Sequence, residues 1–150
     1  MIKTLIAEVL KERIRISIET QDNWDYGIEQ CKEKCIDILS KDLNESFKYI
    51  LDESSDEEFY WLSEIFEEFA GKTQSRKFIE VLRKRLSKVV AESYNQQDFQ
   101  TEFMRKYVDY NEYVSDVGKE IDFAEGQINE WKVVLWSQIA IRKANINGSE

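Results

Sequence analysis

The chain has 150 residues, a length that fits one domain, and its 42% apolar content is enough to fill a single core. Acidic residues number 30 against 21 Lys and Arg, a formal charge of -9, so phosphate backbones are repelled and no direct nucleic-acid ligand is expected. The absence of His removes the commonest general base and every Ser-His or Cys-His nucleophile system, and zero Pro with 5 Gly leaves little punctuation for a turn-rich β fold.

Ile2, Leu5, Ile6, Val9, Leu10 and Ile14 recur at intervals of three and four, which predicts an amphipathic first helix; the alternation of Ile14, Ile16 and Ile18 leaves its end open. After the polar stretch 20–25, Trp24, Ile28, Cys31, Cys35, Ile38 and Leu39 form the apolar stripe of a second helix ending near Ser40. Cys31 and Cys35 stand one turn apart and have no His to complete a zinc site. A disulfide there would close almost no loop, so they read as reduced core thiols. Leu43, Phe47, Ile50 and Leu51 mark a short third helix, with Asp42 and Glu45 at capping-box spacing.

Ser55 and Glu58 form a second capping box, which starts a fourth helix with Phe59, Leu62, Ile65, Phe66 and Phe69 on its stripe and Gly71 as its stop. Thr73 or Ser75 caps a fifth, carrying Phe78, Ile79, Leu82, Leu86, Val89 and Val90. Beyond Asn95 the positions Phe99, Phe103, Tyr107, Tyr110, Val114, Val117 and Ile121, then Ile128, Trp131, Leu135 and Ile139, predict one long helix or two, with Gly118 and Gly126 as candidate breaks. The pattern is that of an all-α single domain over 1–150. Its antiparallel helical hairpins pack as a small bundle or a short α-solenoid-like stack, with a frayed tail at 146–150. The N-terminus lacks an uninterrupted apolar stretch for a signal peptide and no segment reaches the length of a membrane span, so a cytoplasmic protein with no membrane partner is expected.

Charge is segregated. Asp52, Glu53, Asp56, Glu57, Glu58, Glu64, Glu67 and Glu68 fall within 52–68, uninterrupted by Lys or Arg. With Leu62, Phe66 and Phe69 turned inward, 100° per residue puts Glu57, Tyr60, Glu64, Glu67 and Glu68 on the outer face of the fourth helix and Trp61 on its flank. Rigid aromatics among carboxylates suit a hot spot for a basic protein partner. Asp25 and Tyr26, off the stripe of the second helix, extend that surface. The candidate partner-binding residues are therefore Asp52, Glu53, Asp56, Glu57, Tyr60, Trp61, Glu64, Glu67 and Glu68, with Asp25 and Tyr26.

Trp24 reads as core, as do Tyr107, Tyr110, Tyr113, Trp131 and Trp136. A blander alternative is that Lys72, Arg76, Lys77, Arg83, Lys84, Arg85 and Lys88, opposed only by Glu80, neutralise the acidic helix across a hairpin. The acidic run spells no calcium loop, a helical di-metal centre needs Glu-x-x-His, and no Gly-rich phosphate loop is present. No catalytic residue, metal or cofactor is expected, and the chain does not read as an enzyme.

The stretches DNWDYGIEQCKE (22–33) and FKYILDESSDEEFYWLSEIFEEFAGKTQSRKFIEVLRKR (47–85) resemble the small helical immunity proteins of bacterial contact-dependent growth inhibition and related polymorphic-toxin systems. The most specific part is SDEEFYWLSE (55–64), followed by the KTQS turn (72–75), and the resemblance covers about residues 1–92. It implies a cytoplasmic one-to-one inhibitor without catalysis, which binds the toxin domain made by its own cell, often a nuclease. An acidic, aromatic-bearing surface complements such basic toxins. The alternative from another class is a helical adaptor or scaffold module for an endogenous bacterial protein.

Overall fold

A computed structural model describes residues 1–129, and among them nine α-helices follow one another with no strand. The expectations for Trp131, Leu135, Trp136, Ile139 and the tail 146–150 lie outside the described residues.

The isoleucine alternation does not end the first helix: α1 spans Ile2–Thr20, burying Ile16 and leaving Ile18 in solvent. It stops at Gln21 and Asp22, which both adopt left-handed backbone angles. α2 (Asp25–Ser40) returns antiparallel to it. Trp24 is the residue before α2, not part of its stripe, which corrects its assignment to the core: it is 44% exposed. Its ring lies over Gly27, where a Cβ would meet the indole at 2.3 Å, so no larger residue fits without moving the ring. Cys31 and Cys35 are free and buried, and burial pushes the Cys35 thiol up to about 12.

α3 (Leu43–Lys48) is capped by Asp42, which accepts from the Glu45 N–H at 3.1 Å, and runs into a π-helical turn over Tyr49–Glu53. α4 (Asp56–Leu62) starts at the Ser55/Glu58 box with both of its bonds made, at 3.0 and 2.9 Å. The single fourth helix expected from the sequence is broken: a 3₁₀ turn, Ser63–Ile65, separates α4 from α5 (Phe66–Thr73). Gly71 is not its stop either. α5 ends at Gln74, in the left-handed region at φ 53, and the Gln74 amide ties the corner by donating to the carbonyls of Gly71 and Gln127. α6 (Arg76–Ser87) takes Ser75 as its cap.

The stretch beyond Asn95 is cut more finely than the glycines suggested. α7 (Ala91–Gln96), α8 (Glu102–Tyr107) and α9 (Tyr110–Glu125) restart at Thr101 and Asp109, whose side chains cap α8 and α9. Gly118 lies inside α9. Tyr113 joins the core, Tyr110 is partly buried, and Tyr107 is exposed, which corrects its assignment to the core.

α9 packs across both α5 and α6, and its Tyr113, Val117, Ile121 and Ala124 share one core with Phe66, Phe69 and Phe78. Phe69 and Phe78 meet edge to face at 4.7 Å. A late helix lying over an earlier hairpin makes a bundle rather than an open stack, in which each pair would touch only its neighbours.

Candidate binding cleft

The acidic run is largely engaged within the chain. Arg85, 5% exposed, donates to the Ser54 carbonyl and to Asp56 at 2.9 and 2.7 Å and lies over the Phe59 ring. Asp56 also accepts from Gln97. Glu57 accepts the backbone N–H groups of Gln100 and Thr101, and Glu58 takes Ser55, Tyr49 and Lys3. Asp52 pairs with Lys88, Glu68 with Lys32, and Glu67 accepts from Gln127. Of the basic residues on and after α6, Arg85 and Lys88 do answer the acidic segment, while Arg83 turns to Asp122 and Glu125 on α9. From α1 and α2, Lys3, Arg13 and Lys32 answer it as well.

The two aromatic anchors are not both on an open face. Trp61 is buried at 6% exposure, because α8 brings Phe103 to 6.0 Å from its ring and Arg13 of α1 lies over it at 5.3 Å. Tyr60 is half-buried: its ring packs on Tyr113 and its hydroxyl donates to Asp116 at 2.7 Å. Burial, then that carboxylate, pushes the phenol well above its ordinary range. Glu53 is exposed, and its backbone carbonyl accepts from Lys3. Asp25 and Tyr26 are exposed at the start of α2, where Tyr26 leans on Trp24.

What the fold does bring together is a cleft of about 310 Å³ between α1, the α4–α5 junction, α8 and α9. Tyr60, Trp61 and Glu64 of the sequence-derived set line it. Facing them are Arg13, Ser17 and Asp22 from α1 and its following turn, Phe103 from α8, and Asp116, Lys119, Glu120 and Phe123 from α9. Four carboxylates oppose two cations. Arg13 is already committed, at 5% exposure, through a two-pronged contact with Glu64 at 2.9 and 2.6 Å and a bond to Asp22 at 2.9 Å.

Glu120 makes no hydrogen bond or ion pair among the described residues. Burial, followed by the charges of Glu67 and Glu64, holds its carboxyl above the usual range. The cleft walls carry Phe103 and Phe123, 43% and 55% exposed. Trp61 Nε1–H is the one buried side-chain nitrogen or oxygen among the described residues that finds no partner.

The sequence-derived set lacks Asp116, Glu120 and Phe123 and holds Phe103 only as a helical apolar position, although 116, 120 and 123 recur at helical spacing. At 100° per residue they lie along the edge of the stripe Tyr113, Val117, Ile121 and Ala124, which explains the partial burial of Glu120. Among the described residues no group of three or more acidic or Cys side chains is placed to hold a metal ion, and no helix is long and apolar enough to cross a membrane. Comparison with known protein families, curated proteins and solved structures found no match.

Proposed function

We propose that this chain is a cytoplasmic immunity protein that binds a basic toxin domain one to one and blocks it without catalysis. The observation that supports it is the cleft, where Glu120, in no hydrogen bond or ion pair among the described residues, and its neighbour Asp116 stand between two exposed phenylalanines. Carboxylates steer a basic partner, and rigid aromatics supply contact area at low entropic cost. The acidic start of α4 has a supporting role in this reading: by gripping Arg85 and the 100–101 backbone it holds the loop before α8, and through it Phe103, in position.

The test is co-expression with the toxin encoded beside this chain's own gene. Growth rescue and a one-to-one complex are expected, and both should be lost when Asp116 and Glu120 are reversed to Lys in a protein that still folds. A chain that neither binds nor protects, or a neighbourhood without a toxin gene, overturns the immunity assignment. Unchanged protection by the reversed variant removes the cleft from it.

A further inference from the structure

Two unmet demands arise at residues that line the cleft. One is for positive charge. Glu120 on α9 faces Glu64 from the 3₁₀ turn, Glu67 from α5 and Asp116 from its own helix, with Lys32 of α2 the opposing charge that acts on it and Lys119 lining the same cleft. The other is for a hydrogen-bond acceptor. Trp61, 94% buried by its 6% exposure, keeps an indole N–H with no partner. A buried donor left unmade is costly and rare. The Phe103 ring that packs on this indole belongs to α8, a helix of only six residues, and is itself substantially exposed.

Few ligands meet both demands. A metal cation or a polyamine brings charge but no acceptor, whereas an anion brings an acceptor and is repelled by the carboxylates. A polypeptide segment bearing Arg or Lys brings both, its side chains positive and its carbonyls spaced roughly every 3.3 Å when extended. An extended segment suits the donor best, because inside a helix the carbonyls already accept from the segment's own N–H groups, whereas an extended chain leaves them free.

We infer that the cleft receives an extended basic segment of the partner, with a cationic side chain at Glu120 and Asp116 between Phe103 and Phe123, and a main-chain carbonyl at Trp61 Nε1 once the Phe103 ring turns aside. The aromatic walls hold the aliphatic stem and the cation. This rests on the cleft being the docking site proposed above and adds the chemistry of what enters it.

The experiment is a titration of the isotopically labelled full chain with acetyl-Gly-Arg-Gly-Arg-Gly-amide, the same peptide with Glu for Arg, and spermidine. The readout is the indole N–H resonances, with Trp61 assigned through Trp61→Phe. The Arg peptide should shift the Trp61 indole proton downfield and saturably. Glu120→Gln should weaken it about tenfold, the loss of a charged hydrogen bond, while Glu80→Gln, an exposed change on α6 outside the cleft, leaves it unaltered. The Glu peptide should not bind, and spermidine should leave Trp61 unmoved.

An Arg peptide that binds without moving Trp61, an equal shift with spermidine, equal weakening by Glu80→Gln, or no binding at millimolar peptide each overturns the inference. Amide spectra of the variants confirm that they fold. Toxin binding that depends on Asp116 and Glu120 without the Trp61 shift would sink this inference and leave the functional proposal standing; the shift without any toxin binding would do the reverse.

Discussion

At the start of α4, Asp56, Glu57 and Glu58 all accept hydrogen bonds from within the chain, whereas on α9 Asp116 accepts one, from Tyr60, and Glu120 accepts none among the described residues. The first region has the denser charge in sequence and the second has the more available charge in space. A carboxylate held by Arg85 or by backbone N–H groups has its attraction saturated locally and serves to fix the fold. One crowded by other acids at the edge of a cleft keeps its field for an incoming partner. The difference also decides which reversals test binding: turning Glu57 or Glu64 to Lys would break internal contacts with the 100–101 backbone or Arg13, Asp116 gives up only the Tyr60 hydroxyl, and Glu120 gives up no bond among the described residues, so Glu120 is the cleanest position.

The largest effect should come from the structural region. Arg85→Ala leaves Asp56 and the Ser54 carbonyl without their buried partner and should cost about 3–5 kcal/mol in urea unfolding. A loss below about 1 kcal/mol would mean that the α4 acids are not held as described. Trp61 separates ring from donor. Trp61→Ala should cost roughly 3–5 kcal/mol through the cavity, but Trp61→Phe only about 1–2 kcal/mol, because the N–H it deletes has no partner to lose. Equal losses in the two variants would show that the indole N–H matters to the free fold.

Tyr60→Phe removes the bond to Asp116 and should lower stability by about 1 kcal/mol; a melt indistinguishable from the parent would leave that contact without weight.

The smallest effect has a definite sign. The Glu120 carboxyl titrates higher in the folded chain than its ordinary 4.5, mainly through burial. Ionising it therefore costs the folded state more than the unfolded one, and stability from this group is present at low pH and lost as pH rises from the unfolded value through the folded one. Glu120→Gln should match the parent near pH 4 and melt slightly higher at pH 7. A variant that melts lower at pH 7 would place a cation on Glu120 in the free protein.

Features set by neighbours in sequence were legible there. The Ser55/Glu58 box, the Asp42 and Ser75 caps, the helical class and the one-turn spacing of Cys31 and Cys35 depend on residues within about four positions, where helical geometry alone decides. The fourth helix marks the limit of that arithmetic. Projecting 100° per residue through 63–65 assumes an unbroken α-helix, but a 3₁₀ turn advances 120° per residue, so three residues rotate everything beyond by about 60°.

Tyr60, Trp61 and Glu64 were singled out by chemistry and do line the cleft; their burial was not legible, because Tyr60 meets Asp116 across 56 positions and Trp61 is covered by α1 and α8. Sequence determined the helical class and the total charge. Only tertiary packing decided which carboxylates are spent on the chain itself, because a charge is neutralised by whatever lies within a few ångströms of it, and those neighbours come from distant parts of the chain.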